Sequence, residues 1–324
     1  MRPTGKLHLG HLVGALRNYC ALQADYDCLY FIADWHALTS DYGDTKRLTT
    51  YALENVADWL AAGVDPDQST LFVQSLVPEH AELYLLLSMV VPIPWLERVP
   101  TYKDQIEQLS DRDLSTLGFL GYPLLQGADV VIYHGQYVPV GEDQVAHLEL
   151  TREMVRRFNG FFGELFPEPQ PLLTHFPRLP GLDNRKMSKS YGNAINLSDD
   201  ASTVRKKVMR MYTDPKRVRA DIPGTVEGNP VFVYHDAFNS NMAEVDDLKA
   251  RYRAGTVGDV EVKDCLVRAI DAVLDPMRER RAEIMSQPSR LKEIVMDGSS
   301  RARAIAIETM KDVRVAVGLS YGTP

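Results

Sequence analysis

The apolar and polar positions of the first half of the chain follow an alternating strand and helix pattern. After an opening turn, His11 to about Asp25 carries apolar side chains at helical spacing. Cys28 to Asp34, CLYFIAD, is an apolar run ending in a carboxylate. Such a run predicts a buried parallel strand that delivers polar side chains at its carboxyl end. Leu48, Ala52, Val56 and Trp59 share one face of a predicted helix that Asp44 is placed to cap and Gly63 to end. Thr70 to Ser75, TLFVQS, reads as the next strand. From about 79 to 135 the pattern turns mainly helical, before a strand at Tyr137 to Val140 and a helix from about Glu142 to Phe158. Five prolines punctuate residues 160–184, with a short strand at Leu172 to His175, and only helical patterns follow from about Ser198. The spacing predicts an α/β chain: a Rossmann-type doubly wound parallel sheet over residues 1–195, with a helical insertion near 76–136, followed by an all-helical domain at 196–324.

Composition narrows the class. No stretch of roughly 18 uncharged apolar residues occurs to span a membrane, and the opening MRPTGKLHLGH lacks the apolar core of a signal peptide. The expected location is therefore the cytoplasm. Three cysteines, Cys20, Cys28 and Cys265, with no C-x-x-C spacing, point to reduced structural thiols, with neither a disulfide framework nor a protein-bound metal. Net charge is −8, yet residues 185–219 hold ten basic side chains against three acids, so that band is +7 and the rest of the chain −15. An acidic body with one basic band suits an anionic ligand held at one place.

Two short motifs carry candidate chemistry. In His8-Leu9-Gly10-His11, preceded by Pro3-Thr4-Gly5, turn residues feed a helix N-terminus with two flanking imidazoles, a place for phosphate oxygens. Gly10 lets a flat base lie against the backbone. In Lys186-Met187-Ser188-Lys189-Ser190, two lysines on a loop suit charge moving onto a leaving pyrophosphate, because lysine is a mobile point charge. Taken singly, the first is ordinarily a pair of surface histidines and the second a solvated basic loop. Both together, about 180 residues apart across a predicted α/β unit, resemble the two signatures of the class I aminoacyl-tRNA synthetases.

Further segments narrow the resemblance. LGYPLLQGADVVIY at Leu120 to Tyr133, YVPVGEDQVAHLELTRE at Tyr137 to Glu153, RPTGKLHLGH and ADWHALT are similar to the bacterial tryptophanyl-tRNA synthetases over nearly all of residues 2–192. The resemblance implies activation of tryptophan with ATP and Mg2+ to the adenylate, then transfer to tRNA(Trp). It implies a homodimer formed through the insertion, and a helical domain that contacts the anticodon. It places His8, Gly10, His11, Gly141, Asp143, Lys186, Met187, Ser188 and Lys189 on ATP, with His8, His11, Lys186 and Lys189 catalytic. Asp129 would accept the indole N–H, and Tyr122, Gln126, His36 and Gln144 would line the same pocket. An indole N–H only donates, so its reader must accept, and a buried carboxylate is the strongest acceptor available. On that reading phenylalanine is refused because it leaves the carboxylate unpaired. Lys206 and Arg210, one helical turn apart, are candidates for holding tRNA.

The alternatives are a tyrosyl-tRNA synthetase, whose sister family also sets an aspartate against a polar ring atom, and a synthetase-like regulator that has lost catalysis. GEDQVAHLELTRE and RPTG favour tryptophan, and the intact motifs favour an enzyme. Relatives carry a short strand before the RPTG turn, so a strand preceding Met1 is expected.

Overall fold

The computed structural model describes residues 1–100, 102, 114–141, 144–173, 179–187 and 192–321. Helix α1 runs through Leu9–His11, a π segment Leu12–Leu16 and Arg17–Leu22. Strand β1, Cys28–Ile32, leads directly into α2, Asp34–Asp41. Helix α3, Leu48–Ala62, ends at Gly63 as predicted. Asp44 does not cap it, because the helix begins four residues further on, with Arg47 at the cap position. Strand β2, Ser69–Val73, stops two residues short of the predicted end, and Gln74–Leu76 form a 3-10 turn. Helices α4 (Glu79–Ser88), α5 (Ile93–Glu97), α6 (Leu117–Leu120) and α7 (Tyr122–Val131) follow. Strand β3 is Tyr137–Val140, α8 is Val145–Phe162 and β4 is Gln170–Leu173. The rest is helical: α9 (Ala201–Met209), α10 (Pro230–Phe238), α11 (Met242–Ala254), α12 (Asp259–Ser286) and α13 (Pro288–Ala316).

This is a Rossmann-type α/β unit followed by a helical one. Its strands differ from the expected continuous sheet: among the described residues they form two parallel pairs, β1 with β2 and β3 with β4. Met1 lies along the edge of β1, its amino group 2.5 Å from Phe31 O and its carbonyl accepting from Ala33 N at 2.8 Å.

Alternation along β1 and β2 divides the core. Tyr30, Ile32, Leu71 and Val73 face α1, α3 and α12, whereas Leu29, Phe31 and Phe72 face α4, α7 and α8. Helix α13 contributes to both layers, Leu291 and Val295 to the first and Ala302, Ala306, Met310 and Val313 to the second, and covers the free edge of β2. Val73 N donates to Ser299 Oγ at 3.3 Å, so one edge amide is satisfied by a helix side chain. Closure there demands glycine: a Cβ on Gly298 would stand 1.9 Å from Leu71 O. Ion pairs Arg281–Asp58, Arg303–Glu79 and Arg314–Glu82 tie α12 and α13 to helices α3 and α4. The carboxyl ends of β1 and β2 are thereby held fixed, and they carry the site.

Candidate active site

The two sequence motifs meet. Leu7 to Leu9 run against Ile195 to Leu197: Leu9 N donates to Ile195 O and Leu197 N to Leu7 O, both at 2.9 Å. This seats the start of α1 beside the loop that carries Lys186 and Met187. A Cβ on Gly10 would stand 3.0 Å from the His8 ring and 3.1 Å from Met187 Sδ, so any larger residue must push one of these side chains aside. The His8 and His11 rings lie with centroids 3.8 Å apart, and His8 N donates to His11 Nδ1 at 3.1 Å.

The loop is pinned at its base. Asn193 Nδ2 donates to Lys186 O at 3.1 Å and to Asp183 Oδ1 at 2.8 Å, and Asp183 also accepts from Arg185 N and Nε. The Asn193 hydrogen bond, with help from Arg185 and against a smaller desolvation effect, holds the Asp183 carboxyl down at about 2. Lys186 itself is exposed. Ser188, Lys189 and Asp143 lie outside the described residues.

The second cluster surrounds Asp129, on the last turn of α7 and 4% exposed. His36, from α2 at the end of β1, reaches Oδ2 at 2.9 Å through Nε2. Gln74, in the turn that ends β2, donates its Nε2 to Oδ1 at 2.8 Å and to Oδ2 at 3.0 Å. His80, on α4, meets Oδ1 at 2.6 Å through Nδ1, and its Nε2 lies 2.7 Å from the Tyr133 hydroxyl. Burial pushes the Asp129 carboxyl up, but hydrogen bonds from His36 and His80, and then their charges, outweigh it and bring the group down to about 2. Asp129 is therefore ionised at neutral pH, and each partner nitrogen must donate to it. His80 Nε2 in turn is hydrogen-bonded to the Tyr133 hydroxyl, so the imidazole links that hydroxyl to the carboxylate. Burial, followed by the charge of Asp129, raises the Tyr133 pKa and keeps that hydroxyl protonated. Phe31 and Phe72, with ring centroids 6.2 and 6.1 Å from the His80 ring, wall the cluster.

The expected pocket residues are only partly gathered. His36 touches Asp129 directly. Tyr122 and Gln126 share α7 with Asp129, and the Tyr122 hydroxyl lies 3.3 Å from His147 Nε2. Gln144 caps α8 and Gly141 follows β3, both half-buried. The expectation that a ring without an N–H leaves Asp129 unpaired is corrected: three protein groups already donate to it. Sequence reading missed Gln74, His80 and Tyr133. The signal was faint, polar residues just past an apolar strand and at the start of the next helix.

The basic band is also less available than its charge count implies. Arg205 pairs with Asp264, Lys207 with Asp199, Arg219 with Asp221 and Arg185 with Asp183. The Arg217 side chain is fully buried, donating to Ile222 O and Ala220 O and lying 4.0 Å over the Tyr252 ring. Lys206 and Arg210, at the end of α9, remain exposed. A cavity of about 330 Å³ between α3 and α13 is lined by Asp34, Ser75, Leu53 and Met296, and no motif residue reaches it. No helix among the described residues is long and apolar enough to cross a membrane.

Known proteins resemble this chain throughout. Residues 1–275 match the family described as tRNA synthetases class I (W and Y). A tryptophan–tRNA ligase of Thermotoga maritima is 49% identical over 322 residues, covering 99% of this chain and 98% of its own length. That of Aquifex aeolicus is 43% identical, covering 98% of each. The solved tryptophanyl-tRNA synthetase of Campylobacter jejuni, complexed with ADP and tryptophan, superposes with a TM-score of 0.88 at 32% identity, over 98% of both chains. With a family match across most of its length and relatives of this similarity, the chain belongs to the class I tRNA synthetases of the tryptophan and tyrosine family.

Proposed function

We infer that this chain is a tryptophan–tRNA ligase, which activates tryptophan with ATP to tryptophanyl-adenylate and transfers it to tRNA(Trp). The observation that carries the choice of amino acid is Asp129, a buried, ionised acceptor among aromatic walls, suited to a ring nitrogen that only donates. His36, Tyr122, Gln126 and Gln144 complete the pocket. ATP, brought with Mg2+ as substrate, lies at the meeting of the motifs, on His8, Gly10, His11, Lys186 and Met187. Gly141, Asp143, Ser188 and Lys189 are assigned to it by resemblance.

The tryptophan carboxylate attacks the α-phosphate in line, and the pyrophosphate leaves as its charge is met by Lys186 and Lys189. No protein nucleophile takes part, so positioning and charge stabilisation supply the rate. Residues 1–195 form the catalytic unit and 196–324 the anticodon-contacting one, with Lys206 and Arg210 on the tRNA backbone. A homodimer forms through the helical insertion, where Leu85, Met89 and Ile93 stand 53%, 70% and 59% exposed, beside Phe161 at 60%. The enzyme works in the cytoplasm, where its tRNA is. Acylation of tRNA(Trp) with labelled tryptophan tests this reading, and equal or faster acylation with tyrosine overturns it.

A further inference from the structure

The hydrogen bonds on Asp129 fill its carboxylate. Two oxygens offer about four lone-pair directions in all. His80 takes one on Oδ1, His36 takes one on Oδ2, and the single Gln74 Nε2 spans both oxygens at 2.8 and 3.0 Å. An indole N–H can enter only by displacing one of these donors. The histidines are poorly placed to yield. His80 is braced behind by the Tyr133 hydroxyl, and His36 is fixed to the first turns of α2, where its own carbonyl accepts from Thr39 Oγ1 at 2.8 Å. Gln74 is different. Its side chain is fully buried, yet its Oε1 has no hydrogen-bond partner among the described residues. The carboxamide is anchored at its nitrogen alone and turns at little cost. The backbone beneath it is rigid, because the next residue, Ser75, donates its N–H to Asp34 Oδ1 at 3.0 Å and its hydroxyl to Oδ2.

We propose that Gln74 is a specificity-determining residue: its carboxamide competes with the indole N–H for one acceptor position on Asp129, and so sets how strongly a ring without an N–H is refused. This rests on the reading of Asp129 as the acceptor for the indole nitrogen. Tryptophan displaces the Gln74 nitrogen and exchanges one donor for another. A ring without a donor leaves Gln74 in place, so no charge is stranded and the refusal is mild. Gln74 thereby trades discrimination for a carboxylate that is always paired. Removing its amide, while keeping its length and volume, removes both the competitor of tryptophan and the substitute donor that shields the wrong ring.

The test is ATP–pyrophosphate exchange with tryptophan and with 3-(1-benzothiophen-3-yl)alanine, which has sulfur where the indole has N–H and nearly the same shape. The readout is the ratio of the two kcat/KM values. Loss of packing alone slows both substrates alike and leaves the ratio unmoved. In Gln74→Met the ratio rises about tenfold, mostly through KM, and Gln74→Asn, too short to span both oxygens, moves it the same way by less. If Gln74→Met does not fold, the Gln74→Asn ratio decides. In Asp129→Ala the ratio collapses toward one. A ratio unchanged or lowered in both Gln74 variants, with collapse in Asp129→Ala, overturns the proposal and leaves the Asp129 reading standing. A ratio unchanged in Asp129→Ala overturns both.

Discussion

Replacing Asp129 with alanine removes the centre of a buried polar network, and its effects divide cleanly between stability and activity. Stability falls because His36 Nε2, Gln74 Nε2 and His80 Nδ1 all lose their acceptor in a region where Asp129 is 4% exposed. Breaking a buried, charged network typically costs on the order of 3–5 kcal/mol. For a chain of this size that lowers Tm by on the order of 10 °C. Activity falls separately, by the hydrogen bond from the indole to an ionised acceptor, about 1.5–3 kcal/mol or roughly 10- to 150-fold in kcat/KM. Asp129→Asn is milder on both counts. Its amide nitrogen would face donors, but His80 can shift its proton to Nε2, and Gln74 can turn its unpartnered Oε1 inward. What remains lost is the charge, and a neutral hydrogen bond is about half as strong as a charge-assisted one. Differential scanning fluorimetry and ATP–pyrophosphate exchange on the folded fraction, run in parallel on both variants, check the separation. Asp129→Ala that activates tryptophan within about threefold of the parent refutes the pocket.

Other outcomes follow from the same geometry. Gly10→Ala brings a methyl group to 3.0 Å from the His8 ring and 3.1 Å from Met187 Sδ, so the KM for ATP in the exchange assay rises while Tm stays near that of the parent. An unchanged KM shows that the contact is not part of nucleotide binding. Asp129 titrates at about 2, below the roughly 3.9 of an exposed aspartate. Its folded-state pKa is depressed, so its stabilisation is present above about pH 4 and lost as pH falls toward 2. The Tm gap between parent and Asp129→Asn therefore narrows across that window, and a gap independent of pH contradicts the ionised network. Neutralising Lys206 and Arg210 together weakens tRNA binding and flattens its salt dependence, with pyrophosphate exchange intact. Unaffected charging at low tRNA concentration shows them to be only a solvated surface.

Elements of the fold whose causes are local were legible. CLYFI and TLFV are continuous apolar runs and became β1 and β2, Tyr137 to Val140 matched β3, and Gly63 ended its helix. Boundaries set by distant partners were not. Gln74 and Ser75 leave β2 because Ser75 bonds to Asp34, 41 residues away, a tertiary effect that no strand propensity contains. The π segment at Leu12–Leu16 and the use of α13 to cover the edge of β2 had no sequence signal. In the site, HLGH and KMSKS announce themselves by spacing, and Asp129 by standing alone in an apolar run. Gln74 and His80 reach Asp129 from two separate elements and Tyr133 backs His80, so only the packing of α4 and α7 against β2 reveals them. Counting charge misjudged the basic band for a similar reason. It credits Arg217 as a surface cation, whereas its guanidinium closes a buried turn on backbone carbonyls.

The central claim is that this site activates tryptophan, and ATP–pyrophosphate exchange with purified protein tests it most directly. With ATP, Mg2+ and labelled pyrophosphate, the account predicts exchange that depends on tryptophan, with kcat/KM at least a thousandfold above that for tyrosine. Shape enforces that gap, because the tyrosine hydroxyl also donates but sits at a different place and angle. Exchange supported as well by tyrosine, or none with tryptophan, contradicts the account.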